Sequence, residues 1–166
     1  MVVEFDQLDR SSRVWIYQSE HLLTDTQVEK IKVELNDFLE QWTSHNAKLY
    51  TSGAVYYNRF LVIFVDERFI GAGGCSIDKS VHFIEVLEKK YGIWLLGRTQ
   101  VAFISDKENF VPTDILTADL YSLGILLEKG EISEETLVFD NLVKSKTEFE
   151  TQWIKPLGHS WHKRFV

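Results

Sequence analysis

Two rhythms of apolar residues run along this chain. Arg13 to Gln18 (RVWIYQ) is β-branched and aromatic and predicts a strand. Thr24 to Trp42 carries the helical rhythm, with Val28, Ile31, Leu35, Phe38 and Trp42 on one face. Thr24 and Gln27 spell a capping box at its start, and Leu23 is placed to staple onto Val28. Arg59 to Val65 (RFLVIFV) is apolar on both faces and predicts a buried strand. Asp66-Glu67-Arg68 then reads as a tight turn, and Phe69 to Cys75 as the returning strand, thinned by Gly71, Gly73 and Gly74. A second helix is expected from Ser76 or Asp78 to Tyr91, with Lys89 and Lys90 against its macrodipole and Gly92 as its left-handed end. Thr99 to Ser105 (TQVAFIS) is the next strand.

The order β-α-β-β-α-β is that of the split-βαβ, ferredoxin-like motif. The expected fold class is therefore α+β: a ferredoxin-like βαββαβ core, with an antiparallel sheet and both helices on one face. This core spans about residues 12–106, followed by a C-terminal α/β extension over about 107–166. In the extension, Thr113 to Lys129 is expected to be helical around Leu116, Leu120, Leu123 and Leu127. Thr136 to Asn141 is expected as a short strand and Ser145 to Lys155 as a last helix, capped by Ser145 and Glu148 and stopped by Pro156 and Gly158. With no repeat and no linker, residues 1–166 read as one domain.

Composition narrows the function classes. The formal charge of −7 argues against a nonspecific nucleic-acid binder. A single cysteine, Cys75, rules out an internal disulfide and a thiol-rich metal site, and favours a reducing compartment. Met1 to Arg10 has no apolar run, and no apolar stretch is long enough to span a bilayer, so the expected setting is cytoplasmic, without membrane insertion. No cofactor or metal motif is present, and the charge and composition leave room for a homo-oligomer.

Three fragments resemble chemistry. Gly92 to Thr99 (GIWLLGRT) matches the phosphate-loop pattern with Arg98 in the lysine position, but a helix leads in and a strand follows, the reverse of a working phosphate loop. Leu61 to Glu67 (LVIFVDE) has the look of a strand delivering Asp66 to Mg²⁺. On these fragments the chain, over nearly its full length, resembles a small family of uncharacterised bacterial proteins, some of which carry the label "ABC transporter ATPase". The label implies nucleotide hydrolysis. The family offers no established catalytic residues to carry over, and this chain has no LSGGQ-type signature.

The third fragment runs from Gly71 to Ser80 (GAGGCSIDKS). A glycine-rich strand end meeting a helix N-terminus presents free amides and a positive dipole, so Gly73, Gly74, Ser76, Asp78 and Lys79 form a candidate anion or ligand site. A thiol at such an end can be activated by the dipole, which makes Cys75 a candidate nucleophile with His82 as its base. A buried apolar cysteine behind an N-cap explains the same residues without chemistry. His159 and His162 are three apart but lack further metal ligands. His21 and His45 have no evident partners, Tyr56, Tyr57 and Arg59 fit the two faces of a strand, and Glu128 to Glu135 reads as a solvated acidic stretch. Three functions follow as expectations: a binding or interaction domain for an unknown small molecule or protein, a small thiol enzyme, and the nucleotide hydrolase that the resemblance implies.

Overall fold

Segments 13–18 and 60–66 are β-branched and aromatic extended stretches, and they pair with each other. A computed structural model describes residues 1–105 and 109–166. In chain order it contains β1 (Arg13–Gln18), α1 (Asp25–Gln41), the two-residue strands β2 (Thr43–Ser44) and β3 (Ala47–Lys48), β4 (Tyr50–Tyr56), β5 (Phe60–Asp66) and α2 (Gly74–Tyr91). There follow β6 (Gln100–Ile104), β7 (Ile115–Asp119), α3 (Leu123–Glu128), β8 (Leu137–Phe139), α4 (Lys146–Gln152) and β9 (Ile154–Pro156), with short 3-10 turns before, between and after these elements.

The chain is mixed α and β with antiparallel sheets. One sheet has the order β1-β5-β4, another β7-β6-β8-β9, and β2-β3 is a small separate hairpin. Every residue of β5 is buried. Leu61, Ile63 and Val65 face a core formed with α1 and α2. Phe60, Val62 and Phe64 face a second core shared with Ala102 and Ile104 of β6, Ile115 of β7 and Phe139 of β8. Phe149 and Trp153 complete this middle layer with stacked and edge-on aromatic contacts. The far face of the second sheet packs Val101, Phe103 and Val138 against Leu120, Leu123 and Leu157. The layers therefore run helices, sheet, sheet, short helical turns.

Several expectations hold for their stated reasons. α1 begins at Thr24, whose hydroxyl accepts from the Gln27 amide at 3.1 Å while the Gln27 side chain accepts from the Thr24 amide at 3.0 Å. Leu23 and Val28 share the first core. Gly92 ends α2 with φ of 62°, a left-handed conformation that glycine adopts without penalty. Ser145 caps α4 through the Glu148 amide.

Other expectations are corrected. The partner of β5 comes before it, not after it: residues 69–73 form no strand, because β5 already has β1 on one side and β4 on the other. The hairpin turns at Tyr57 and Asn58, both with positive φ. Three residues, Tyr57 to Arg59, lie between the paired Tyr56 and Phe60, and the Arg59 amide closes the turn by donating to the Tyr56 carbonyl at 3.0 Å. β4 escapes recognition because its middle is Thr51-Ser52-Gly53. Gly53 is required there, since a Cβ would lie 2.7 Å from Leu39 Cδ1 of the helix packed above it.

The ferredoxin-like sheet also does not form as expected. The sequence of elements is kept (β1, α1, β4, β5, α2, β6), but β6 pairs with β7 and β8 in the second sheet and not alongside β1. Ile115–Asp119 is a strand rather than the start of a helix, because the open edge of β6 recruits it; only Leu123–Glu128 is α-helical. The last helix stops at Gln152, and residues 154–156 pair with β8. The division expected between 106 and 107 lies outside the described residues. Among the described residues no helix is long and apolar enough to cross a membrane.

Candidate functional site

The amino end of α2, singled out in the sequence, starts earlier than expected. Gly73 is the N-cap, so Ser76 and Asp78 lie inside the helix, and no side chain caps it. Gly74 and Cys75 are exposed in the first turn. Ser76 is buried, and its hydroxyl donates to the Thr43 carbonyl at 2.9 Å. The indole of buried Trp42 donates to the Ser76 carbonyl at 2.8 Å, which fastens the start of α2 to the end of α1. Gly71 is small for a local reason: a Cβ would meet the Glu67 carboxylate, which accepts from the Ala72 amide.

Cys75 and His82 are not brought together. They stand seven positions apart on the helix, about 10 Å along the axis. The exposed His82 imidazole instead lies 3.7 Å from Glu85. Asp78, Lys79 and His82 rim a shallow apolar groove of about 590 Å³ between α1 and α2, floored by Trp42 and by Phe38 and Phe83, whose rings stack at 4.4 Å. Gly73, Gly74 and Cys75 do not line it.

The other sequence fragments are placed as follows. Gly92 to Thr99 leaves α2 and runs into β6 without forming a loop ahead of a helix. The Asp66 carboxylate is engaged by the Arg68 guanidinium, at 2.7 Å for the closest pair, and by the Asp9 amide. These hydrogen bonds, the Arg68 one foremost, hold its carboxyl below the usual range. His159 is exposed and His162 buried, so they share no face. Among the described residues no cluster of three or more His, Cys, Asp or Glu is placed to hold a metal ion. Tyr56 and Tyr57 belong to the aromatic packing around Trp153, and burial raises both phenol pKa values. Arg59 is buried, donating to the Ser19 and Glu20 carbonyls, and burial lowers its pKa.

A second, larger cavity lies along β1. It measures about 830 Å³. One wall is the α2 side, with Ile77, Val81, Leu95 and Leu96; the other is the 139–144 segment with Trp161 and His162. Strand alternation sends Val14 and Ile16 toward the middle core and Trp15 and Tyr17 toward the helices. Arg13, Arg98 and Lys144 bring positive charge to this cleft, and Glu67, held by the Ala72 amide, is the carboxylate among its lining residues. None of the three cations has a carboxylate within ion-pair distance among the described residues. The Arg13 guanidinium lies over the Trp15 ring at 4.6 Å. Burial raises the Tyr17 phenol, with Ser80 and the Arg98 charge opposing.

His162, itself buried, is among the residues that line the cleft. Its Nδ1 lies 2.6 Å from the Ser160 hydroxyl, and its ring stacks on Trp161 at 4.0 Å. Burial lowers its pKa to about 4, with nearby Asp140 and Lys155 pulling in opposite directions. The imidazole is thus neutral at pH 7 and acts as a wall. Sequence reasoning singled out Arg98 only as part of the phosphate-loop lookalike and did not single out Arg13 or Lys144 as site residues, because the three are far apart along the chain and no local pattern joins them. No family model matches the chain, and neither a curated protein nor a solved structure matches it.

Proposed function

We propose that this chain is a binding domain for an anionic ligand, held in the cleft along β1. The observation that carries the reading is an inversion of charge. A chain of net charge −7 gathers Arg13, Arg98 and Lys144 around the cavity along β1. Three cations around one concavity, with no ion-pair partner among the described residues, attract negative charge from solution. The volume lies within the range of ligand pockets, and apolar walls with a few polar groups are the usual lining of such sites. The one hydroxyl paired with an imidazole at the cleft among the described residues, Ser160 with His162, is itself buried and does not line the cavity, which favours binding over turnover. The exposed, unpaired Cys75 suits a reducing, cytoplasmic setting.

The test compares a fluorescent acidic pentapeptide (Glu-Val-Asp-Val-Glu, both ends blocked), its lysine-for-acid counterpart, pyrophosphate and a short oligothymidylate. Saturable binding of an acidic probe is expected, weakened about tenfold or more by the double variant Arg98→Glu, Lys144→Glu. Equal binding of the acidic and basic peptides, or binding unaffected by the double variant, would refute the reading.

A further inference from the structure

The outer edge of β1 is open over the middle of its length. The Val14 amide donates outward to the Lys144 carbonyl, and the Ser12 carbonyl accepts outward from the Lys146 amide. Past the strand, the Glu20 amide donates to the Trp94 carbonyl. Ser19, by contrast, bonds inward to Arg59. Even-numbered residues therefore turn their backbone groups away from β5, and between these ties the Ile16 amide and carbonyl point outward. Neither has a hydrogen-bond partner among the described residues, and Ile16 is only partly buried. Both face the cleft that holds Arg13, Arg98 and Lys144.

An unpaired sheet edge is a template for another extended backbone, and soluble proteins usually cover or blunt such edges. Here it is recessed within a walled cleft, a geometry that guards against indiscriminate aggregation while leaving the ladder available. We infer that the anionic ligand of this cleft is a short acidic peptide segment that adds as a strand to β1, pairing with the Ile16 amide and carbonyl. The inference rests on the anion-binding reading above and specifies its ligand. The open stretch from Val14 to Gln18 is about 14 Å long, room for about four residues of strand. The Lys144 carbonyl blocks one end and the Trp94 carbonyl the other, so the segment is short or turns away beyond them. Backbone bonds supply affinity in this mode, while alternate side chains read the walls. With Arg13 and Lys144 at one end and Arg98 beside Tyr17 near the other, acidic side chains are favoured toward both ends of the segment.

The test uses the acidic pentapeptide and two N-methylated versions, one methylated at the odd positions and one at the even. Methylation removes amide donors without changing charge. One of the two is expected to bind about tenfold more weakly than the parent, and saturation with the parent is expected to slow hydrogen exchange at the Ile16 amide about tenfold or more. Ile16→Pro, checked for folding by circular dichroism, is expected to weaken the parent peptide similarly, because its lost amide does not serve β5. If both methylated peptides bind like the parent and the Ile16 amide gains no protection, strand addition is wrong, while loss of binding in the Arg98→Glu, Lys144→Glu variant still upholds the anion site. If the oligothymidylate binds at the cleft and the peptide does not, or if sedimentation shows a dimer that protects Ile16 without peptide, the proposed occupant is overturned.

Discussion

Acidification from pH 7.5 to 5 protonates His162 in the unfolded chain but leaves it neutral in the folded one. The unfolded imidazole has its ordinary value of 6.5, and burial brings the folded value to about 4. Between these values the unfolded state binds the extra proton, so stability rises with pH across this window. The contribution is complete above about pH 6.5 and is lost as the pH falls toward 4. At pH 5 the linkage amounts to about 2 kcal/mol, close to one and a half pKa units of protonation free energy. Charging the ring would put a cation at a buried position beside Ser160, with Lys155 opposing it and Asp140 only partly compensating. The assay is urea unfolding followed by tryptophan fluorescence at both pH values, for the native chain and for His162→Asn, whose side-chain amide offers Ser160 both a donor and an acceptor. The native chain is expected to lose about 2 kcal/mol more than the variant on going to pH 5. An equal loss in both proteins would show that His162 is not the group responsible.

Three further outcomes are expected. Gly53→Ala forces a methyl against Leu39 and Leu35 of α1 and lowers stability by about 1–3 kcal/mol in chemical denaturation. Cys75 reacts fully with an aromatic disulfide reagent in the native state, and Cys75→Ser changes stability by no more than about 0.5 kcal/mol, because the thiol is exposed. Lys146 is buried and donates to the Phe5 and Leu8 carbonyls at 2.8 and 3.0 Å; Lys146→Met, similar in shape, costs about 1–3 kcal/mol and speeds hydrogen exchange in residues 1–8, or the anchoring role is wrong.

The elements legible in the sequence were those whose signals are local. α1 carries its own cap and staple, Gly92 its own left-handed turn, and β1 and β5 their own β-branched runs. The elements missed were decided by neighbours. Thr51-Ser52-Gly53 extends because β5 offers an edge and Leu39 leaves no room for a side chain. Ile115–Asp119 extends because β6 does the same, overriding a four-residue leucine spacing that reads as helix. The Tyr57-Asn58 turn did leave a trace in Asn58, a residue that tolerates positive φ. The candidate site was less legible still. Gly71 to Ser80 drew notice through its glycines, yet Gly71 answers to Glu67 and Ser76 to Trp42 and Thr43. The cleft draws on segments as distant as Ser11 and His162, and no contiguous motif announces it.

The position of β5 has a kinetic corollary. Its side chains feed two separate apolar interiors, and both of its edges are zipped to neighbours. Water can reach its amides only by stripping away β1 or β4, and that exposes Phe60, Phe64 and their companions at the same moment. Melting of the helical side thus drags the second sheet with it, and deuterium should enter this ribbon last, at the rate of whole-molecule opening.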